Sequence, residues 1–193
     1  MVAARTLTPV PDPPGTKRQG APVRDEIAPE TQLPTASLAI STRLAVAQTA
    51  LTAALTRDAA YDAMIAFAAK RWSAVLVLDI EQTSATGRRG HGAQLSDDLA
   101  QWIVVSLDEP SLLRAAFTTS GVATVAPPGH GDAEARVQKL LGTARAPSAI
   151  AIAVNGKPAH LLAVGDPDGD DLKTAAADLE RLACAAGDAF TRL

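Results

Sequence analysis

The side chains able to do chemistry are few and scattered. There are three histidines, His91, His130 and His160, and one cysteine, Cys184. None of the histidines has a second ligand at the i, i+4 spacing that places two imidazoles on one face of a helix, so a helical metal site is not indicated. A lone cysteine excludes an internal disulfide and any zinc site built on several thiolates. Cys184 falls among Leu182, Ala183, Ala185 and Ala186, which reads as a packing position rather than an electropositive cleft. Gly87-Arg-Arg-Gly-His-Gly has the look of a phosphate loop but lacks the GxxxxGK[ST] spacing, and no long helix follows to aim its N-terminus at an anion. It reads as a solvated turn. Asp166-Pro-Asp-Gly-Asp-Asp has the acid density of a calcium loop. The closing Glu is missing, because position 12 is Ala177 counted from Asp166 and Leu179 counted from Asp168. A turn that caps the following helix fits better. No GxSxG elbow is present. His160 lies within an apolar run, where a hydrogen-bonded or outward-facing imidazole is expected. These residues predict no catalytic set, no metal and no cofactor.

The elements that must carry these residues are legible from pattern. The chain has 193 residues, 47% hydrophobic and 20% charged, with a net charge of −3. That supports a sizeable core and gives no positive footprint for nucleic acid. Aromatic residues at 3% also argue against a stacking platform for single strands. Residues 1–34 hold Pro9, Pro11, Pro13, Pro14, Pro22, Pro29 and Pro34 without apolar periodicity, which predicts a disordered, partly extended tail and no export signal. Its Pro11 and Pro14, near Lys17 and Arg18, match a PxxP recognition pair, a pattern that any proline-rich tail produces by chance. The longest apolar runs, such as Ala74 to Leu78 and Ala149 to Val154, fall well short of the roughly 20 residues that span a bilayer. The expectation is a cytoplasmic protein without a membrane partner.

From Ser37 to Thr56, Leu38, Leu44, Leu51 and Leu55 predict a first helix, and Asp58 is positioned to cap a second through Phe67. Ser73 to Glu81 reads as a strand and Thr83 to Gly92 as a turn. Ser96-Asp97-Asp98 opens a short helix, and Trp102 to Leu107 reads as a strand. Asp108-Glu-Pro-Ser predicts a helix entry capped by Asp108, and Val122 to Val125 a short strand. Pro127 to Gly131 is a loop, and Asp132 is positioned to cap a helix through Leu141. Asn155-Gly156 joins two apolar runs, the signature of a type I′ hairpin. A final helix runs from Leu172 to Leu193. One hairpin and short connections predict an α+β fold with a largely antiparallel sheet.

Several of these segments resemble GAF-type sensory domains. Thr56-Arg-Asp-Ala-Ala-Tyr-Asp-Ala-Met-Ile resembles the polar break and amphipathic helix of the GAF opening, and Phe67 to Leu78 its passage into the first strand. Leu107 to Gly121 resembles the mid-domain step from strand to helix, Ile150 to Val164 the final hairpin, and Leu172 to Leu193 the closing helix. The likeness is strongest to the divergent GAF-like modules of multidomain signalling and motility proteins in delta-proteobacteria. It implies a sheet of five or six strands with flanking helices over residues 35–193. It also implies a non-enzymatic regulatory or sensory module that acts by small-ligand binding, by dimerisation, or both. The alternative is a protein-interaction or scaffold module with no small-molecule ligand. The Asn-Lys-x-x-x-Asp motif of the cyclic-nucleotide binders is absent, and Cys184 is placed unlike the chromophore cysteine. The several cysteines of the reductase members are also lacking. A cavity left by Thr119 to Thr143 would separate a ligand binder from an interaction module.

The first helix carries apolar residues on more than one side. This predicts a homodimer through a four-helix seam of Leu44, Leu51 and Leu55 with Leu179 and Leu182. The alternative is a monomer whose first helix lies across the sheet. A protein partner in a signalling or motility system is expected beside the second copy.

Overall fold

The computed structural model describes residues 35–119, 121–124, 131–169 and 171–193, with side chains from residue 39 onward. The tail expected over residues 1–34, like His130 and the Pro127–Pro128 loop, lies outside the described residues. In chain order the elements are α1 (Thr35–Ala53), α2 (Arg57–Ala68), β1 (Ala74–Glu81), β2 (Ser84–Gly92), α3 (Asp97–Ala100), β3 (Val104–Ser106), α4 (Leu112–Thr118), α5 (Asp132–Leu140), β4 (Ser148–Val154), β5 (Lys157–Val164) and α6 (Leu172–Arg192). The strands form one antiparallel sheet of five, ordered β3-β2-β1-β5-β4. This is the expected α+β architecture.

Strand alternation divides the core into two layers. Val75, Val77, Ile150, Ile152, Leu162 and Val164 face one side. There they meet Leu44 and Leu51 of α1, Met64 and Phe67 of α2, and Leu179, Leu182 and Phe190 of α6. Leu76, Leu78, Leu161 and Ala163 face the other side and meet Leu112 and Leu113 of α4 and Val137 of α5, with Leu95 and Leu107. Strand β1 sits at the centre and is buried from Ala74 to Leu78. A continuous apolar run there is what two covered faces demand.

The segment expected to be a turn, Thr83 to Gly92, is instead mostly strand. β2 pairs with β1 from Ala74 opposite Gly92 to Glu81 opposite Ser84. Its glycines serve close packing rather than turning: a Cβ on Gly87 would lie 2.1 Å from the carbonyl oxygen of Ala100. The reversal is confined to the two residues between β1 and β2, where Gln82 has φ 56°.

Three caps differ by a residue or more from expectation. Thr56, not Asp58, accepts the Ala59 N–H at the start of α2. Ser111, not Asp108, accepts from Arg114 at the start of α4. Helix α5 has Gly131 at its cap with no side-chain bond, and Asp132 lies in its first turn. Asp58 in the first turn of α2 and Asp132 in that of α5 help through charge rather than as the cap itself. Of the strand expected from Val122 to Val125, the described residues form one pair, Ala123 with Ala149, and Val125 lies outside the described residues. The hairpin is as expected, with Asn155 at φ 52° and Gly156 at φ 76°.

Candidate functional site

Two polar arrangements stand out, one on each side of the sheet. The first lies against α2 and α6. Asp79 of β1 and His160 of β5 are register partners, and His160 Nδ1 stands 2.7 Å from Asp79 Oδ1. The Tyr61 hydroxyl of α2 donates to the same oxygen at 2.7 Å. Arg88 of β2 donates through Nε to Asp79 Oδ2 at 2.5 Å. Phe190 of α6 covers the imidazole, with ring centroids 4.3 Å apart.

Burial works to raise the Asp79 carboxyl, but hydrogen bonds from His160, Tyr61 and Arg88 outweigh it and hold the group down at about 2. Burial, reinforced by the bond to Asp79, pushes the Tyr61 phenol well above its ordinary range. Each member of this cluster bonds another, and no described serine, threonine or cysteine is among the partners. The arrangement is a clasp joining α2, β1, β2 and β5 rather than an acid–base set aimed at a substrate.

The second arrangement lies at the opposite edge and face. The stretch from Trp102 through β3 to Val105 forms one wall of an open cleft of about 330 Å³, and Arg136, Lys139 and Leu140 of α5 form the other. Trp102 is 87% exposed, and Val104 and Leu99 nearby are also exposed. Neither Arg136 nor Lys139 makes an ion pair with a described residue. A smaller recess of about 140 Å³ continues past Arg136 to Ser106, Glu109 and Asp132. The wall is firm: buried Glu134 accepts the Leu112 N–H at 2.7 Å and the Gln138 amide at 2.8 Å, which ties α5 to α4. An exposed indole beside two cations that have no ion-pair partner among the described residues suits a planar ligand carrying negative charge. Behind the cleft the layer is filled by Leu76, Leu78, Leu112, Leu113, Val137, Leu141 and Leu161, all fully or almost fully buried.

The residues marked by sequence land as follows. His160 is buried and hydrogen-bonded; His91 is exposed on β2. Cys184 is exposed on α6, contrary to the packing position its apolar neighbours suggested. The helix turns it outward while Leu182, Ala183 and Ala186 face in. The Asp-rich loop is stitched into the fold. Asp166 Oδ1 accepts the Ala146 N–H at 2.8 Å, and Asp171 caps α6 through the Thr174 N–H at 3.0 Å. Among the described residues no three His, Cys, Asp or Glu side chains converge as a metal site requires.

Of the residues expected in a dimer seam, Leu44, Leu51, Leu179 and Leu182 meet one another in the core of a single chain. They have essentially no surface to offer a second copy. Leu55 lies beyond the end of α1 and is 88% exposed. The apolar excess of α1 is absorbed by α2 and α6, which it packs against together. The Trp102 cleft was not marked in the sequence. Its signal was an apolar run, Trp102 to Val105, too short to be a core strand and ending at a sheet edge.

No protein-family model matches the sequence, and no curated protein is similar to it in sequence. Solved structures are similar in fold. The GAF domain of a phosphoenolpyruvate-protein phosphotransferase from Coxiella burnetii superposes with a TM-score of 0.63 at 11% identity, over 81% of this chain and 95% of that one. The GAF domain of A. aeolicus NLH2 gives 0.59 at 13%, over 81% and 98%. Free methionine-R-sulfoxide reductase from Neisseria meningitidis gives 0.59 at 13%, over 81% and 92%. The chain has a GAF-like fold. Among the described residues, no helix is long and apolar enough to cross a membrane.

Proposed function

We propose that this GAF-like domain is a non-enzymatic regulatory or sensory module, cytoplasmic, that takes a small planar anion in the cleft between β3 and α5. The observation that carries the reading is the exposed indole of Trp102 across a cleft from Arg136 and Lys139, which make no ion pair with a described residue. A volume of about 330 Å³ is at the lower end of what small-molecule sites offer. The open mouth and the filled layer behind it favour a ligand that lies against the surface rather than one enclosed by the sheet. A protein partner in a signalling or motility system would then read the occupied cleft.

The reductase neighbour raises the question of catalysis. The chain's single cysteine is on the outer face of α6, far in the fold from the cleft, and the His160–Asp79 pair is closed over by Phe190. Neither supports turnover. The test is a thermal-shift screen of nucleoside monophosphates and aromatic carboxylates. A ligand at about 100 times its Kd adds roughly 2.7 kcal/mol, which shifts Tm by several degrees for a domain of this size. The double variant Arg136→Ala/Lys139→Ala should lose that shift. Stabilisation by none of these compounds would leave the cleft as an interaction surface only.

A second reading, a homodimer through α1, rests on a different observation. Val46 is 65% exposed beside a shallow apolar groove between α1 and α2 that includes Ala47, Ala63 and Phe67. A seam there would use Val46 rather than the buried leucines. Val46→Glu should convert a dimer into a folded monomer by sedimentation; a parent that already sediments as a monomer at micromolar concentration refutes it.

A further inference from the structure

The sheet ends at β4, and part of that edge is open. Ala149 exchanges two backbone hydrogen bonds with Ala123 on the outer side, each 2.8 Å. Ala149 therefore directs its N–H and C=O away from β5. The register runs without interruption from Ser148 to Ile152, so Ala151 directs its N–H and C=O outward as well. No backbone group of a described residue meets them. One strand-like contact is already made on this edge, and no described residue pairs with the next position.

Beside that position runs a groove of about 580 Å³ between β4 and α6. Ile150 lines it together with the small residues Ala151, Ala153, Ala183 and Gly187. Its α6 rim carries Glu180, Cys184 and Asp188, spaced four apart and therefore on one stripe of the helix, all exposed. The carboxylates of Glu180 and Asp188 make no ion pair with a described residue. Other exposed sheet edges are blunted by charge, bulges or brevity; here the bulge comes only at Ile152–Ala153, past the open position.

We propose that the outer edge of β4 takes an extended segment of a partner protein that carries basic residues, added to the sheet as a sixth strand. Main-chain bonds to Ala151 would hold the segment, and its lysine or arginine side chains would lie along Glu180 and Asp188. Ala153, Ala183 and Gly187 leave room for side chains pointing toward α6. The site is on the edge opposite β3, so it does not depend on the ligand reading of the Trp102 cleft.

Amide hydrogen exchange of the full chain, followed residue by residue by NMR, tests this with two defined probes, acetyl-(Lys-Val)3-amide and acetyl-(Glu-Val)3-amide. In the free chain the Ala151 amide should exchange fast, while Ile150 and Ile152, turned toward β5, are protected. Saturating lysine peptide should slow exchange at Ala151 by at least tenfold, and the glutamate peptide should not. The surface variant Glu180→Lys/Asp188→Lys should weaken the lysine peptide by at least tenfold. The proposal is overturned if Ala151 is already protected in the free chain. It is equally overturned if millimolar lysine peptide leaves Ala151 unchanged, or if the charge-reversed variant binds it as well as the parent does.

Discussion

His160 and Asp79 face each other directly across the β1–β5 seam, with the imidazole Nδ1 2.7 Å from the carboxylate oxygen. Tyr61 and Arg88 complete the carboxylate's shell, so the pair ties the sheet to α2.

This pair makes the fold sensitive to acid. The Asp79 carboxyl sits at about 2 in the fold against an ordinary 3.8, a depressed value. Its contribution is therefore complete above about pH 4 and is lost as pH falls from there toward 2. The shift corresponds to on the order of 2 kcal/mol. Urea midpoints at pH 6, 4 and 2.5 should fall across that window, and Asp79→Asn should lose most of the difference. A variant with the same acid dependence as the parent would place the effect elsewhere. Tyr61 acts at the other end: its raised pKa means stability declines as pH climbs past about 10.

The hairpin turn depends on left-handed backbone at Asn155 and Gly156, φ 52° and 76°. Gly156→Val places a β-branched side chain there and should cost about 1–3 kcal/mol of backbone strain. Gly156→Asn should cost much less, because Asn tolerates this region. Equal urea midpoints for the two variants would show that strain is not the determinant.

Leu51 and Leu55 should separate sharply. Leu51 is fully buried between α1 and the rest of the helical layer, so Leu51→Ala should destabilise by about 2–5 kcal/mol. Leu55→Ala, at an exposed position, should stay within about 0.5 kcal/mol. Chemical denaturation measures both, and a large effect at Leu55 would reveal a contact made in an assembly.

Much of the fold was legible in the sequence because local signals and tertiary demands agreed. The Asn155-Gly156 turn, the central apolar strand and the Asp171 cap each have one physical solution. β2 was hidden because glycine usually signals a turn, whereas Gly87 is there to let Ala100 approach. Leu44 and Leu51 were assigned to a seam because sequence shows that a helix has excess apolar surface but not which neighbours absorb it. The Tyr61–Asp79–His160 cluster joins residues up to 99 positions apart, a relationship that only the strand register creates. The Trp102 cleft likewise depends on α5 returning beside β3.

The reading of the cleft between β3 and α5 as a planar-anion site rests on Trp102, Arg136 and Lys139. The most direct measurement is an NMR titration with nucleoside monophosphates and aromatic carboxylates that follows the indole N–H signals of the two tryptophans, exposed Trp102 and buried Trp72. Binding in the cleft should give a saturable shift at Trp102, little change at Trp72, and no binding in Arg136→Ala/Lys139→Ala. A Trp102 signal unmoved by every compound, or binding that survives removal of both cations, would contradict it.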